Sequence, residues 1–258
     1  MRGVPQQPSR PVQRGFSLVE LMVALTLSAI IMVSVTASYT STMAANASSL
    51  AQARLTQDTR AVMDVMTREL RRTGYWGSAA TAAAQNPYSP SEYGSGTGAN
   101  ATCILYAYDA DDSGNAAVPN GEKFGFRLRN GAIQWARGGA NNCNGNWGAN
   151  TNITDPNTTT VTALDIDVWQ PECTNLSDTP SSNCNPCAAG YTPWANNDRL
   201  LRVWRVDIGI TAQANNITGP NGNVPNVQIN DTVRMRNEDL VLQATGAGPA
   251  AGTGPCAP

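Results

Sequence analysis

The sequence contains no histidine, which removes the commonest general base, the commonest zinc ligand and the usual pH switch near neutrality. Charged residues make up only 14% of the chain and aromatics 6%, which fits a polar extracytoplasmic domain better than a cytosolic enzyme. There is no Gly-rich phosphate loop, nucleophile elbow or plausible triad, so the chain is not expected to be an enzyme. Neither Gly nor Pro occurs between Phe16 and Thr73, so nothing in that interval interrupts a helix. What is present is enough for a sizeable core: 258 residues, 41% of them hydrophobic, which excludes a peptide or a disordered tail. After residue 75, Asn, Gly, Ser and Thr crowd the sequence and predict short strands joined by many turns.

Charge is unevenly spread. Residues 1–15 carry Arg2, Arg10 and Arg14 and no acid. Residues 16–74 carry five Arg against Glu20, Asp58, Asp64 and Glu69, and the remainder carries nine basic and fifteen acidic residues, a net of −6. An acidic domain repels phosphate, so direct contact with nucleic acid is not expected.

From Leu21 to Ala53 no residue is charged. As a helix, the stretch from Phe16 to Tyr39 would reach about 36 Å, enough to cross the ~30 Å hydrocarbon core. The basic flank places residues 1–15 in the cytoplasm and the rest of the chain outside. A cleaved secretory signal fits less well, because no small-x-small site closes the apolar run and Glu20 lies near its start. A carboxylate at that depth costs roughly 2.5–3.5 kcal/mol, so Glu20 needs a positive partner or a proton, unless it snorkels to the interface.

Beyond the membrane the helix turns amphipathic, with Leu55, Val62, Val65, Met66 and Leu70 on one face. Asp64 with Arg68, and Arg54 with Asp58, are spaced for i,i+4 ion pairs, Arg71 and Arg72 suit the negative end of the helix dipole, and Gly74 supplies the stop. Strands are expected at Cys103–Tyr108 and at Leu164–Val168. Lys123–Arg129 and Ala132–Arg137 should form a hairpin about Asn130-Gly131, with Leu128 opposite Ile133 and Phe126 opposite Trp135. Leu200–Thr211, Val224–Ile229 and Thr232–Asn237 should complete an antiparallel set.

Six cysteines follow the apolar run. In an oxidising compartment they read as three structural disulfides, with fifteen connectivities open. Sequence proximity suggests Cys103 with Cys143, and Cys173 with either Cys184 or Cys187, leaving Cys256 to tie down the tail. Cys184-Asn-Pro-Cys187 has redox-motif spacing but lacks the strand-to-helix context. Asp109-Ala-Asp111-Asp112-Ser113-Gly114 resembles the start of a calcium loop. Position 12 of that loop is Asn120, however, and Glu122 comes two residues late. Candidate calcium ligands are Asp109, Asp111, Ser113 and Glu122, and a solvated acidic turn is the alternative.

Arg14-Gly15-Phe16-Ser17-Leu18-Val19-Glu20 resembles the class III signal sequence of type IV prepilins. The resemblance implies cleavage by prepilin peptidase between Gly15 and Phe16, N-methylation of Phe16, and pairing of Glu20 with the terminal amine of a neighbouring subunit. Leu70-Arg-Arg-Thr-Gly-Tyr-Trp-Gly77 resembles the helix exit of PilW-type minor pilins, as do the Phe124–Leu128 hairpin strand and Val233–Asn237. The fold so implied is α+β and type IV pilin-like, a long N-terminal helix packed on an antiparallel head with disulfide-tied loops. Its segments would be a leader at 1–15, a transmembrane helix at 16–39, an amphipathic continuation at 40–74 and a head at 75–258. The function implied is a minor pilin that primes assembly near the filament tip and supports motility and adhesion. Such a protein would sit in the inner membrane before assembly and on the cell-surface pilus afterwards. Its partners would be prepilin peptidase, other minor pilins, the major pilin and a large tip adhesin. The rival readings are a minor pseudopilin of type II secretion and a calcium-dependent tip adhesin or binding module.

Overall fold

The uninterrupted stretch forms one helix, α1, Leu18–Leu70, and Gly74 ends its exit turn with φ 80°. The computed structural model describes residues 15–79, 86–89, 101–148, 151–178, 181–185, 189–195, 197–215, 217–218, 222–237 and 239–242. The chain divides into two units, Met1–Ala47 and Ser48–Pro258, and α1 contributes to both.

In the first unit the helix is bare. Leu21, Met22, Val23, Leu25, Leu27, Ile30, Ile31, Met32, Val33 and Val35 are all at least half exposed. Covering such a side chain is worth about 1.5–3 kcal/mol, so ten of them make water an unsuitable final environment. The helix is long and apolar enough to cross a membrane. Its hydroxyls suit that role too. Thr26 donates to the Val23 carbonyl at 2.9 Å, Ser34 to Ile30 at 2.9 Å and Thr36 to Met32 at 2.8 Å, so none of these three needs water.

In the second unit Leu55, Met63, Met66 and Leu70 of α1 are buried, together with Phe126, Ile133, Leu164, Ile166, Val206 and Ile208 from the strands. The expected i,i+4 ion pairs of α1 do not form among the described residues, where the helix's only ion pair is Glu69 with Arg72 at 3.4 Å. Exposed pairs of that kind are worth only a few tenths of a kcal/mol, too little to hold two long side chains in one geometry.

Two antiparallel sheets follow. The first has the order β1-β2-β3, with β1 Cys103–Ala107, β2 Lys123–Arg129 and β3 Ala132–Arg137. Asn130 and Gly131 both have positive φ, 53° and 73°, as the primed turn requires, and the pairs Leu128 with Ile133 and Phe126 with Trp135 form as expected. The second sheet has the order β5-β4-β6-β7, with β8 also on β6: β4 Thr159–Asn175, β5 Ser182–Asn183, β6 Arg199–Ala214, β7 Asn226–Arg234 and β8 Asp239–Leu242. The two expected C-terminal strands are therefore one continuous strand, β7, and the next strand starts only at Asp239.

Cys103 is joined to Cys143, fastening the start of β1 to the loop after β3, and Cys173 is joined to Cys184, fastening the end of β4 beside β5. The pairing of Cys184 with Cys173 removes the redox-motif reading of Cys184 and Cys187. Cys187 and Cys256 lie outside the described residues. The bridges close sequence separations of 40 and 11 residues, and in the chain-entropy account they contribute about 4 and about 3 kcal/mol. Reduction under native conditions should therefore lower the melting temperature by well over ten degrees, and an unchanged melt with all thiols titratable would show that the bridges carry no stability.

Candidate functional site

Two places in the chain gather chemistry. The first precedes α1. Residues 15–17 are non-helical, and the helix takes over with Leu21 donating its N–H to the Ser17 carbonyl at 3.1 Å. The Gly15–Phe16 bond thus lies outside the hydrogen-bonded helix. A Cβ at Gly15 would meet no atom within 4 Å, and Phe16 is 83% exposed. Glu20 is exposed in the first turn of α1, where a carboxylate complements the positive end of the helix dipole. It has no ion-pair partner among the described residues.

The second place is the helix exit. Here the chain leaves α1 and adds to β1, with Gly74 N–H donating to the Ala107 carbonyl at 3.0 Å and Asp109 N–H to Tyr75 at 2.9 Å. Asp109, 2% exposed, then organises the acidic loop. One of its oxygens accepts from the backbone N–H of Gly77 at 3.1 Å and Gly114 at 2.8 Å, and the other accepts from Ser113 N–H at 3.0 Å. Burial works to raise its pKa, but these three donors outweigh it and hold the carboxyl below its ordinary value. Buried Glu122 accepts from Ala110 N–H at 2.8 Å and from the Tyr88 hydroxyl at 2.5 Å. Burial and the Glu122 carboxylate both push the Tyr88 hydroxyl upward in pKa.

This geometry supplies a reason for the Tyr-Trp-Gly exit. The Tyr75 hydroxyl donates to Asp112 at 2.9 Å, and Trp76 packs in a small cluster with Tyr88 and Ala107. The position of a Cβ at Gly77 is filled by the Asp112 carboxylate. A side chain at residue 77 would have to displace that exposed carboxylate from the Tyr75 hydroxyl. Tyr75 is 43% exposed and bonds through its hydroxyl, whereas Trp76 beside it is buried.

The family described as Prepilin peptidase-dependent protein B matches residues 48–235, well over half of the chain, and the prokaryotic N-terminal methylation motif matches residues 10–36. The chain belongs to the prepilin peptidase-dependent protein B family. Comparison with curated proteins and with solved structures gives no significant match. Membership and the methylation motif together make this a type IV pilin-like protein processed by prepilin peptidase, and the bare apolar helix fits a membrane anchor.

In this prepilin peptidase-dependent protein B chain the four candidate calcium ligands do come together. Asp109, Asp111 and Glu122 each offer an oxygen within 4.8 Å of the others, and the Ser113 hydroxyl lies 3.5 Å from Asp109. Glu122 joins although it is two residues late for a 12-residue loop, because it precedes β2 in a short helical turn that returns it to the cluster. The oxygens are engaged by the protein itself, since both oxygens of Asp109 and of Glu122 accept hydrogen bonds and Ser113 contributes its backbone N–H. The role these contacts establish is to fasten the helix exit to the loop before β2.

Glu69 was not among the residues singled out in the sequence. It is buried at the end of α1 and accepts from the Tyr108 hydroxyl at 2.9 Å, while the Arg72 guanidinium lies 4.1 Å over the Tyr108 ring. Burial and the Glu69 carboxylate push the Tyr108 hydroxyl up to about 12. Its only sequence signal was an acid on the otherwise apolar face of a helix.

Proposed function

We propose that this chain is a PilW-type minor pilin, released from its leader between Gly15 and Phe16 and packed by α1 into a type IV pilus at or near the tip. The observation that carries the reading is the arrangement at the N-terminus. The Gly15–Phe16 bond lies ahead of the helix, Glu20 follows four residues after Phe16, and an apolar helix surface remains uncovered in the lone subunit. Two forces drive assembly in this account: burial of that surface against other helices, and neutralisation of Glu20 by a neighbour's methylated amine. The carboxylate's desolvation cost of roughly 2.5–3.5 kcal/mol sets the scale of the second. The head then serves as a rigid spacer and contact surface among the minor pilins, the major pilin and a tip adhesin.

Mass spectrometry of the native N-terminus tests the processing directly, with N-methylated Phe16 as the expected first residue. Glu20→Ala should leave membrane insertion intact, because it removes only a cost, and should reduce recovery in sheared filaments by tenfold or more, the factor about 1.4 kcal/mol supplies. Normal recovery of this variant would overturn the pairing. Loss of secreted protein with pili intact, on deleting the gene, would instead assign the chain to type II secretion.

A further inference from the structure

At the exit of α1 a depression of about 420 Å³ is lined by Arg68, Arg71, Arg72 and Arg236, with Asp64 and Thr67. Four guanidinium groups thus face one carboxylate at a single place. Arg72 is occupied, stacked over Tyr108 and 3.4 Å from Glu69. Arg68, Arg71 and Arg236 are exposed and make no ion pair among the described residues.

The ordinary explanation is that cations at a helix C-terminus cap its carbonyls. That work is done by other groups here. The backbone N–H of Arg236 donates to the Arg71 carbonyl at 3.4 Å, and the Asn237 amide donates to Arg72 at 3.1 Å and to Thr73 at 3.0 Å. Three exposed guanidinium groups of like charge are thus gathered about one cavity, which like-charge repulsion disfavours.

We infer that this depression is a carboxylate-binding site, and that it docks an acidic surface of an adjacent pilin-like subunit. Charge complementarity selects the occupant. Residues 75–258 of this chain carry nine basic and fifteen acidic groups, so a partner built like this one presents a negative head. The arginine fork matches carboxylate geometry in pairs of hydrogen bonds. A nucleic acid is the poorer fit, because a duplex needs a basic track longer than this compact patch of four arginines. The identity of the partner, though not the presence of the site, rests on the minor pilin reading.

The test uses the full-length protein in detergent micelles and fluorescence anisotropy with labelled hexaglutamate and with a short duplex DNA. Hexaglutamate should bind at low salt and weaken about tenfold as ionic strength rises from about 0.05 to about 0.3 M. The Arg68→Gln, Arg71→Gln, Arg236→Gln triple variant, with an unchanged circular dichroism spectrum and melt, should lose at least tenfold in affinity. Equal binding by wild type and variant, or tighter binding of DNA than of hexaglutamate through these arginines, overturns the proposal. In cells, Arg68→Glu with Arg71→Glu should be processed normally at Gly15 and recovered poorly in filaments. Normal recovery counts against the site, whereas failure of the unmodified chain to be processed counts against the pilin reading instead.

Discussion

A bulky residue in place of Gly15 should leave the leader attached to essentially all of the protein, so that Gly15→Val migrates at the precursor position while the unmodified chain shows the shorter mature form. The geometry makes this a clean experiment. Nothing lies within 4 Å of where the new side chain would begin, and residue 15 precedes the first hydrogen bond of α1. The substitution therefore costs the folded chain nothing, and a block in cleavage reports on the peptidase's own pocket at that residue. Gly15→Ala, smaller, should retain partial processing. The consequence reaches Glu20, because an uncleaved chain never produces the amine at Phe16. Precursor should accumulate in the membrane and be absent from sheared filaments. Cleavage of Gly15→Val at wild-type level would show that processing falls elsewhere.

The parts of the fold that were readable are those governed by neighbours in sequence. Asn130-Gly131 dictates a primed turn, and alternation on both sides then fixes the register to the residue. The helix was readable because nothing between Phe16 and Thr73 could break it. Long-range pairing was harder. β4 extends to 17 residues because irregularities at Val161/Ala163 and Trp169/Glu172 let it bend and continue, and such bulges leave no alternation to follow. Asn230-Asp231 has turn chemistry, yet β7 runs straight through it, since Asn230 faces Gly209 and its side chain lies over the space that glycine leaves open. At the site, the acidic run through Gly114 was visible, but one donor to Asp109 comes from Gly77, 32 residues earlier in the chain. The arginine depression drew residues from α1 and from the segment after β7, a juxtaposition that sequence spacing does not contain.

Replacement of Asp109 should destabilise the head at the helix exit. Asp109→Ala leaves the N–H groups of Gly77, Gly114 and Ser113 without their acceptor in a region where the carboxylate was 2% exposed. These donors are part-buried and water can reach them once the carboxylate is gone, so the loss should be about 2–3 kcal/mol. Asp109→Asn keeps one acceptor oxygen and should lose less. The pH dependence has a defined sign. The folded carboxyl titrates below the unfolded one, so its contribution is complete above the ordinary carboxyl value of about 3.9 and disappears as pH falls through the lower folded value. Wild-type stability should therefore drop on acidification below about pH 4, and the drop should be shallower in Asp109→Asn. Melts repeated with calcium and with a chelator separate the loop's hydrogen bonds from an ion. If the hydrogen bonds alone fasten the helix exit, the difference between wild type and Asp109→Asn is the same in both. A gap that opens only with calcium assigns Asp109, Asp111 and Glu122 to a metal.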